Sequence, residues 1–218
     1  MIVELNDAEC RVLGCLIEKE NTTPDYYPLT LNALTNACNQ KTNREPVTDY
    51  PEEVIEETLD LLRDKNLVYV FYGSGSRTAK YKHLSERFFE LELPEIAVLC
   101  VLLLRGSQTL GELNQRTTRI YEFSGLDEVS QTLENLIKRE EPLAVKLPKQ
   151  PGQKEVRYTH LLSGEIDTEN LNYSNTNSIS RTKTEDKRIE ELEQEIEILK
   201  SEFASFKNHF ESFKKQFE

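Results

Sequence analysis

Residues 52–84 read EEVIEETLDLLRDKNLVYVFYGSGSRTAKYKHL. Ile55, Leu59 and Leu62 fall at i, i+4 and i+7, the apolar stripe of a helix over about 52–65. Leu67 to Tyr72 is β-rich, Gly73-Ser74-Gly75-Ser76 is a turn, and Arg77 to His83 returns as the second arm of a hairpin. The same order recurs about 75 to 80 residues later. Val129, Leu133, Leu136 and Ile137 share a helix face, and Leu143 to Leu147, a Pro151-Gly152 turn and Glu155 to Leu161 make a second hairpin. Thr58-Leu59 and Leu62 align with Thr132-Leu133 and Leu136, and Tyr81-Lys82-His83-Leu84 aligns with Tyr158-Thr159-His160-Leu161.

Two helices precede each copy. Asn6 and Glu9 have capping-box spacing before a helix near 7–20 that carries Leu13, Leu16 and Ile17. Thr30 caps a short helix with Leu31, Leu34 and Cys38 on one face. The polar stretch NQKTNREPVTDYP, 39–51, is a loop because Pro46 and Pro51 interrupt it. In the second half Pro94 starts a helix with Ile96, Leu99, Cys100 and Leu103, and Thr109 with Glu112 is a capping box. Leu110-Gly111-Glu112-Leu113 stands where Leu31-Asn32-Ala33-Leu34 does. Three helices followed by a two-stranded hairpin is the winged helix-turn-helix order. The fold class is therefore mainly α with small β-hairpins (α+β). Winged-helix domains are expected at 1–90 and 91–163.

Composition changes after that. Residues 164–184, rich in Asn, Ser and Thr, read as a flexible linker. Over 185–218, Ile189, Leu192, Ile196, Leu199, Phe203, Phe206, Phe210, Phe213 and Phe217 alternate by three and four, a coiled-coil seam. A parallel pair matches Arg188 with Glu193, Glu195 with Lys200 and Glu202 with Lys207, so a homo-oligomer is expected. Phenylalanine is bulky for a two-stranded seam, which leaves open a higher oligomer or a tail folded back on the winged helices.

The charge sum narrows function. The 218 residues carry 27 basic and 39 acidic side chains, −12 in all, which argues against capture of nucleic acid by overall charge. By region the charge is −7 over 1–93, zero over 94–164 and −5 over 165–218. The longest apolar run, Ile96 to Leu104, is too short to span a membrane, and the first residues lack a secretory pattern. Four cysteines without paired spacing read as free thiols in the cytoplasm. No CxxC or HExxH occurs, so neither a metal nor a cofactor is expected. Three histidines and carboxylates on the polar faces of helices give no catalytic constellation, and the chain is read as non-enzymatic.

The third helix of a winged helix normally enters the major groove. Here the first copy begins with Glu52, Glu53, Glu56 and Glu57, which phosphates repel. The second begins Leu126, Asp127, Glu128, with Ser130, Gln131 and Asn135 further on and no basic residue before Lys138, so neither helix reads as a strong base reader. Basic groups stand elsewhere. Asn39, Gln40, Lys41, Asn43 and Arg44 in the 39–51 loop are candidates for phosphates and base edges, and so are Lys146, Lys149, Lys154 and Arg157 of the second hairpin. The first hairpin offers Arg77, Lys80 and Lys82. Ordinary solvated charges account for the same residues, and the asparagines and threonines of the loop equally serve to bond its own backbone.

The segment RVLGCLIEKENTTPDYYPLTLNALTNACNQKTNREPV, Arg11 to Val47, resembles the YceH-like family of bacterial proteins, and the likeness extends more loosely to about Leu162. The resemblance implies tandem winged helices, often with a C-terminal coiled coil. It implies no activity. Two functional readings stand side by side: a DNA-binding, transcription-regulator-like protein acting on double-stranded DNA, and an adaptor that binds a protein partner through its winged helices and coil. The seam between the winged helices is a place where a ligand pocket can form.

Overall fold

Helix α1 (Asp7–Thr22) starts where Asn6 and Glu9 cap each other: the Glu9 N–H donates to Asn6 Oδ1 at 2.9 Å, and the Asn6 N–H to Glu9 Oε2 at 2.8 Å. The computed structural model describes residues 3–73, 78–149 and 153–164. After α1 come a short 3-10 turn (Pro24–Tyr26), β1 (Leu29–Thr30), α2 (Leu31–Cys38), α3 (Glu52–Asp64), β2 (Val68–Tyr72), β3 (Ala79–His83) and α4 (Ser85–Phe89). The second half holds α5 (Leu93–Arg105), α6 (Leu110–Arg116), α7 (Leu126–Ile137), β4 (Ala144–Lys146) and β5 (Tyr158–His160). The protein is α+β, mainly helical with small antiparallel sheets.

The expected caps form. Thr30 Oγ1 accepts from the Ala33 N–H, and Thr109 with Glu112 makes a reciprocal capping box. Glu92 and Glu95 make a further one, and Pro94 lies in the first turn of α5. On α3 the stripe of Ile55, Thr58, Leu59 and Leu62 is buried, and on α7 that of Val129, Thr132, Leu133 and Leu136.

The sheets extend the repeat. β2 and β3 pair antiparallel in the register Val68↔His83 to Tyr72↔Ala79, and the two-residue β1 adds to the far edge of β3 through Leu29↔Tyr81. The order is thus β1-β3-β2. In the second half β4 pairs with β5 through Ala144↔His160. An isolated bridge, Gln108↔Tyr158, stands where β1 stands in the first half. Tyr81 and Tyr158, aligned by sequence, occupy equivalent places in the two ladders. The 74–77 tip with Arg77, the Pro151-Gly152 turn, the rest of the linker from 165 and the heptads of 185–218 lie outside the described residues.

Both halves close over one core within a compact unit, Met1–Ile166. Every residue from Glu9 to Ile17 and from Ile96 to Leu104 is buried. Helices buried all round sit at the centre, and α1 and α5 pack on each other there. Gly14 sets their distance. A Cβ on it would stand 2.9 Å from Cγ and Cδ2 of Leu104 and 3.2 Å from Leu103 Cβ. Cys100 Sγ donates to the Gly14 carbonyl at 3.4 Å across the same contact. Further ties cross between the halves: the Glu45 N–H donates to Leu104 O at 2.8 Å and the Leu5 N–H to Leu162 O at 2.6 Å.

Gly14→Val overpacks this contact and is expected to destabilise the protein by about 2 to 3 kcal/mol. Gly14→Ala costs less, because the helix propensity of alanine over glycine, about 1 kcal/mol, offsets part of the strain. Chemical denaturation of the three proteins measures both.

Candidate functional site

The 39–51 loop is held by two buried arginines. Arg11, from α1, donates to Cys38 O at 3.1 Å, to Pro46 O at 2.5 Å and to Thr48 Oγ1 at 3.3 Å. Arg44 is 4% exposed. Its Nε donates to Ala37 O at 3.1 Å, and its terminal nitrogens meet both carboxylate oxygens of Glu18, at 2.6 and 3.2 Å. Burial opposes the Arg44 charge, but the hydrogen bonds and charge of Glu18 outweigh it and raise the pKa. Glu18 answers in kind: burial pushes its carboxyl up, and Arg44 and then Lys19 bring it below the usual carboxylate range.

The loop residues named from sequence divide accordingly. Asn39 makes a reciprocal pair with Tyr50, its Nδ2 donating to Tyr50 O and its Oδ1 accepting the Tyr50 N–H, both at 2.8 Å. Asn43 adopts a left-handed φ of 62°, and its Oδ1 accepts from Arg105. Arg44 faces the protein interior, its guanidinium occupied by Glu18 and carbonyls, and does not meet solvent. Gln40 is half-buried, and Lys41 is exposed.

In the second hairpin Lys146, Lys149 and Lys154 are all exposed. Arg157 is turned to the foot of α6, where it donates to Ser107 O at 2.7 Å and to Glu112 Oε2 at 2.9 Å. Burial pushes the Glu112 carboxyl up, but the Thr109 N–H, Arg157 and Arg116 hold it below its ordinary value. The neighbouring α7 presents Gln131 and Asn135 outward, hydrogen-bonded to each other at 3.1 Å, with Lys138 paired to Glu134. Its first-turn Glu128 is taken by Tyr121 Oη, the Ser124 N–H and Ser124 Oγ, at 2.7 to 2.8 Å. On α3 the outward residues are mostly acidic, Glu52, Glu53, Glu56, Glu57, Asp60 and Asp64, with Leu61 and the Asp60-paired Arg63 among them. In the first hairpin Lys80 is half-buried and Lys82 lies 3.9 Å from Glu20.

The two aligned histidines differ. His83 is buried, with Nε2 2.5 Å from Glu20 Oε2 and Nδ1 accepting the Ser85 N–H at 3.3 Å. That arrangement puts the ring proton on Nε2. His160 Nδ1 is buried with no hydrogen-bond partner among the described residues, and burial lowers its pKa to about 4 against an opposing pull from Asp7. All four cysteines are buried and free. Burial pushes the Cys10 thiol up to about 11 and Cys100 well above its usual value. Among the described residues no three His, Cys, Asp or Glu side chains group as metal ligands, and no helix is long and apolar enough to cross a membrane.

Sequence reasoning passes over Arg11, Arg105 and Arg116. Arg11 lies in an otherwise apolar run of α1, and an arginine there signals a buried ion or carbonyl tie. Arg105 and Arg116 read as ordinary basic residues at helix C-termini.

The chain belongs to the family described as "Protein of unknown function, DUF480", which matches residues 5–153. The YceH-like resemblance of Arg11–Val47 is thereby borne out. It is similar to the UPF0502 protein of Opitutus terrae, 54% identical over 163 residues, 74% of this chain and 71% of that one. The UPF0502 protein of Pelobacter propionicus is 50% identical over 192 residues, 87% of each chain, and that of Geotalea uraniireducens 47% over 196 residues, 89% of each.

Arg44→Ala leaves half-buried Glu18 with Lys19 alone and removes the bond to Ala37 O, and is expected to cost about 3 kcal/mol, read by denaturant unfolding. Folded His160 releases its proton near pH 4 and the unfolded residue near 6.5, so between those values the unfolded chain binds more protons. Its contribution is full above about pH 6.5 and lost as pH falls toward 4, a change of about 3 kcal/mol. His160→Asn is expected to flatten the stability-against-pH curve across that window.

Proposed function

We propose that the chain is a tandem winged-helix protein that binds double-stranded DNA through its second half. The repeated ladder carries this reading: Leu29↔Tyr81 and Gln108↔Tyr158 each set a residue ahead of the second helix against the returning strand of the hairpin. A winged helix closes its small sheet in that order, and its third helix and hairpin are the parts that meet a duplex. In the second half these parts are α7, with Gln131 and Asn135 outward, and the hairpin with exposed Lys146, Lys149 and Lys154. Glutamine and asparagine suit base edges, and the lysines suit phosphates. In the first half, Lys41 is the exposed base of the 39–51 loop, and the acidic face of α3 is turned away from DNA in this reading. The heptads of 185–218 support self-association, which doubles the modules on one duplex. Free thiols fit a reducing compartment such as the cytoplasm. The chain binds and does not catalyse.

A protein-adaptor role is the second reading. Leu61, Tyr69, Phe71 and Tyr72 are exposed on α3 and β2, 44 to 63% each, beside the acidic face. Exposed aromatics are enriched at protein interfaces.

Fluorescence anisotropy with a mixed-sequence duplex separates the two. Micromolar binding at about 50 mM salt that collapses at about 200 mM is expected. Lys149→Gln with Lys154→Gln is expected to weaken binding across sequences and to cut the salt slope by about 2. Absence of binding at low salt by folded protein rejects the DNA reading in favour of the adaptor.

A further inference from the structure

The seam between the two halves opens into a cleft of about 550 Å³. Arg105, Arg116 and Arg157 line it with the turn of residues 106–108, and a smaller pocket lined by Arg119 and Ile120 shares Asn43, Arg105 and Arg116 with it. Besides the inward-turned Arg44, the two spaces are lined by four arginines and three glutamates, in a chain of net charge −12. Two of the three carboxylates are paired, and Glu45 is exposed. Glu18 holds Arg44, and Glu112 holds Arg157, the Thr109 N–H and, at 3.6 Å, Arg116. Arg105 meets the Asn43 side chain, and neither it nor Arg119 pairs with a carboxylate among the described residues. Burial and then the like charge of Arg116 push the Arg105 pKa down, against the pull of Glu18.

The cluster is built, not fluid. Gln108 is 2% exposed. Its Nε2 donates to the carbonyls of Arg105, Gly106 and Ser107 at 2.9, 3.3 and 3.0 Å, and its Oε1 accepts from Arg116. One buried amide thus fixes both the turn after α5 and the arginine opposite it. Guanidinium forks set around a common space match the several oxygens of a tetrahedral phosphate, whereas one carboxylate satisfies a single fork. The volume exceeds that of a lone phosphate and falls within the range of small-molecule sites.

We infer that this cleft binds a small phosphate-bearing ligand, with Arg105, Arg116 and Arg119 taking the phosphate oxygens and Gln108 positioning Arg116. The ligand bridges α5 and α6 to the Asn43 loop, so it contacts both halves of the protein. Apart from Arg157 of the hairpin, the lining residues lie outside α7 and the β4–β5 hairpin assigned to DNA.

Inorganic pyrophosphate is the probe. Titration of the full chain by isothermal calorimetry at about 50 mM salt is expected to show one site per chain and a raised melting temperature. Arg105→Gln is expected to weaken binding at least about tenfold. Arg119→Gln, an exposed position, is expected to weaken it without changing the melting temperature of the free protein, and Arg63→Gln on α3 to leave it unchanged. No heat and no melting shift with wild type, or equal affinity in Arg105→Gln and Arg119→Gln, overturns the proposal. Duplex binding by Arg119→Gln is expected to equal wild type; a loss parallel to that for pyrophosphate assigns the phosphate to a nucleic-acid backbone and overturns the small-ligand reading.

Discussion

The close packing of α1 on α5 at Gly14 is the constraint from which the rest of the structure follows. Each half has a three-helix and hairpin order, yet neither central helix keeps a solvent face, because each covers the other. Two repeats that make separate cores can drift relative to one another. Here the missing side chain at Gly14 brings the backbones together, Leu103 and Leu104 fill the groove, and Cys100 bonds the Gly14 carbonyl. Residues after α2 are then pressed against the C-terminal end of α5, where the Glu45 N–H meets Leu104 O.

That crowding explains the buried guanidiniums. The loop after α2 has lost helical hydrogen bonding, and the carbonyls of Ala37, Cys38 and Pro46 end inside the protein, where an unsatisfied polar group is costly. Arginine suits the task because one planar group reaches several carbonyls while its charge is met by one carboxylate. Arg11 and Arg44 divide the work, and Glu18 neutralises Arg44. The same seam leaves a second set of arginines facing open space, held by Gln108 and Glu112.

Much of the fold was legible in the chain. The Ile55-Leu59-Leu62 stripe, the Asn6–Glu9 and Thr109–Glu112 boxes, Thr30 as a cap and the alignment of Tyr81 with Tyr158 all encode local rules, and local rules are written in adjacent residues. The two-residue β1 and the Gln108 bridge escaped because a strand so short has no period to read. The candidate surface was legible in part. Lys146, Lys149 and Lys154 are exposed, since hairpin positions reveal themselves. Arg44 is buried, because a polar loop closed over by a neighbouring helix looks no different in sequence from one in water. Arg105 and Arg116 come together only through the tertiary seam.

The DNA reading and the adaptor reading assign different surfaces, α7 with the β4–β5 hairpin and α3 with β2. Charge divides them: α3 exposes six carboxylates, whereas α7 exposes Gln131 and Asn135 beside Asp127 and Glu134, with exposed lysines on the hairpin that follows. A ¹H–¹⁵N NMR titration with a mixed-sequence duplex at about 50 mM salt, where phosphate contacts are strong, reports on every backbone amide at once. The account predicts shifts confined to α7 and the β4–β5 hairpin, with α3 and β2 unmoved. Shifts centred on α3 and β2, or none anywhere at saturating duplex, contradict it.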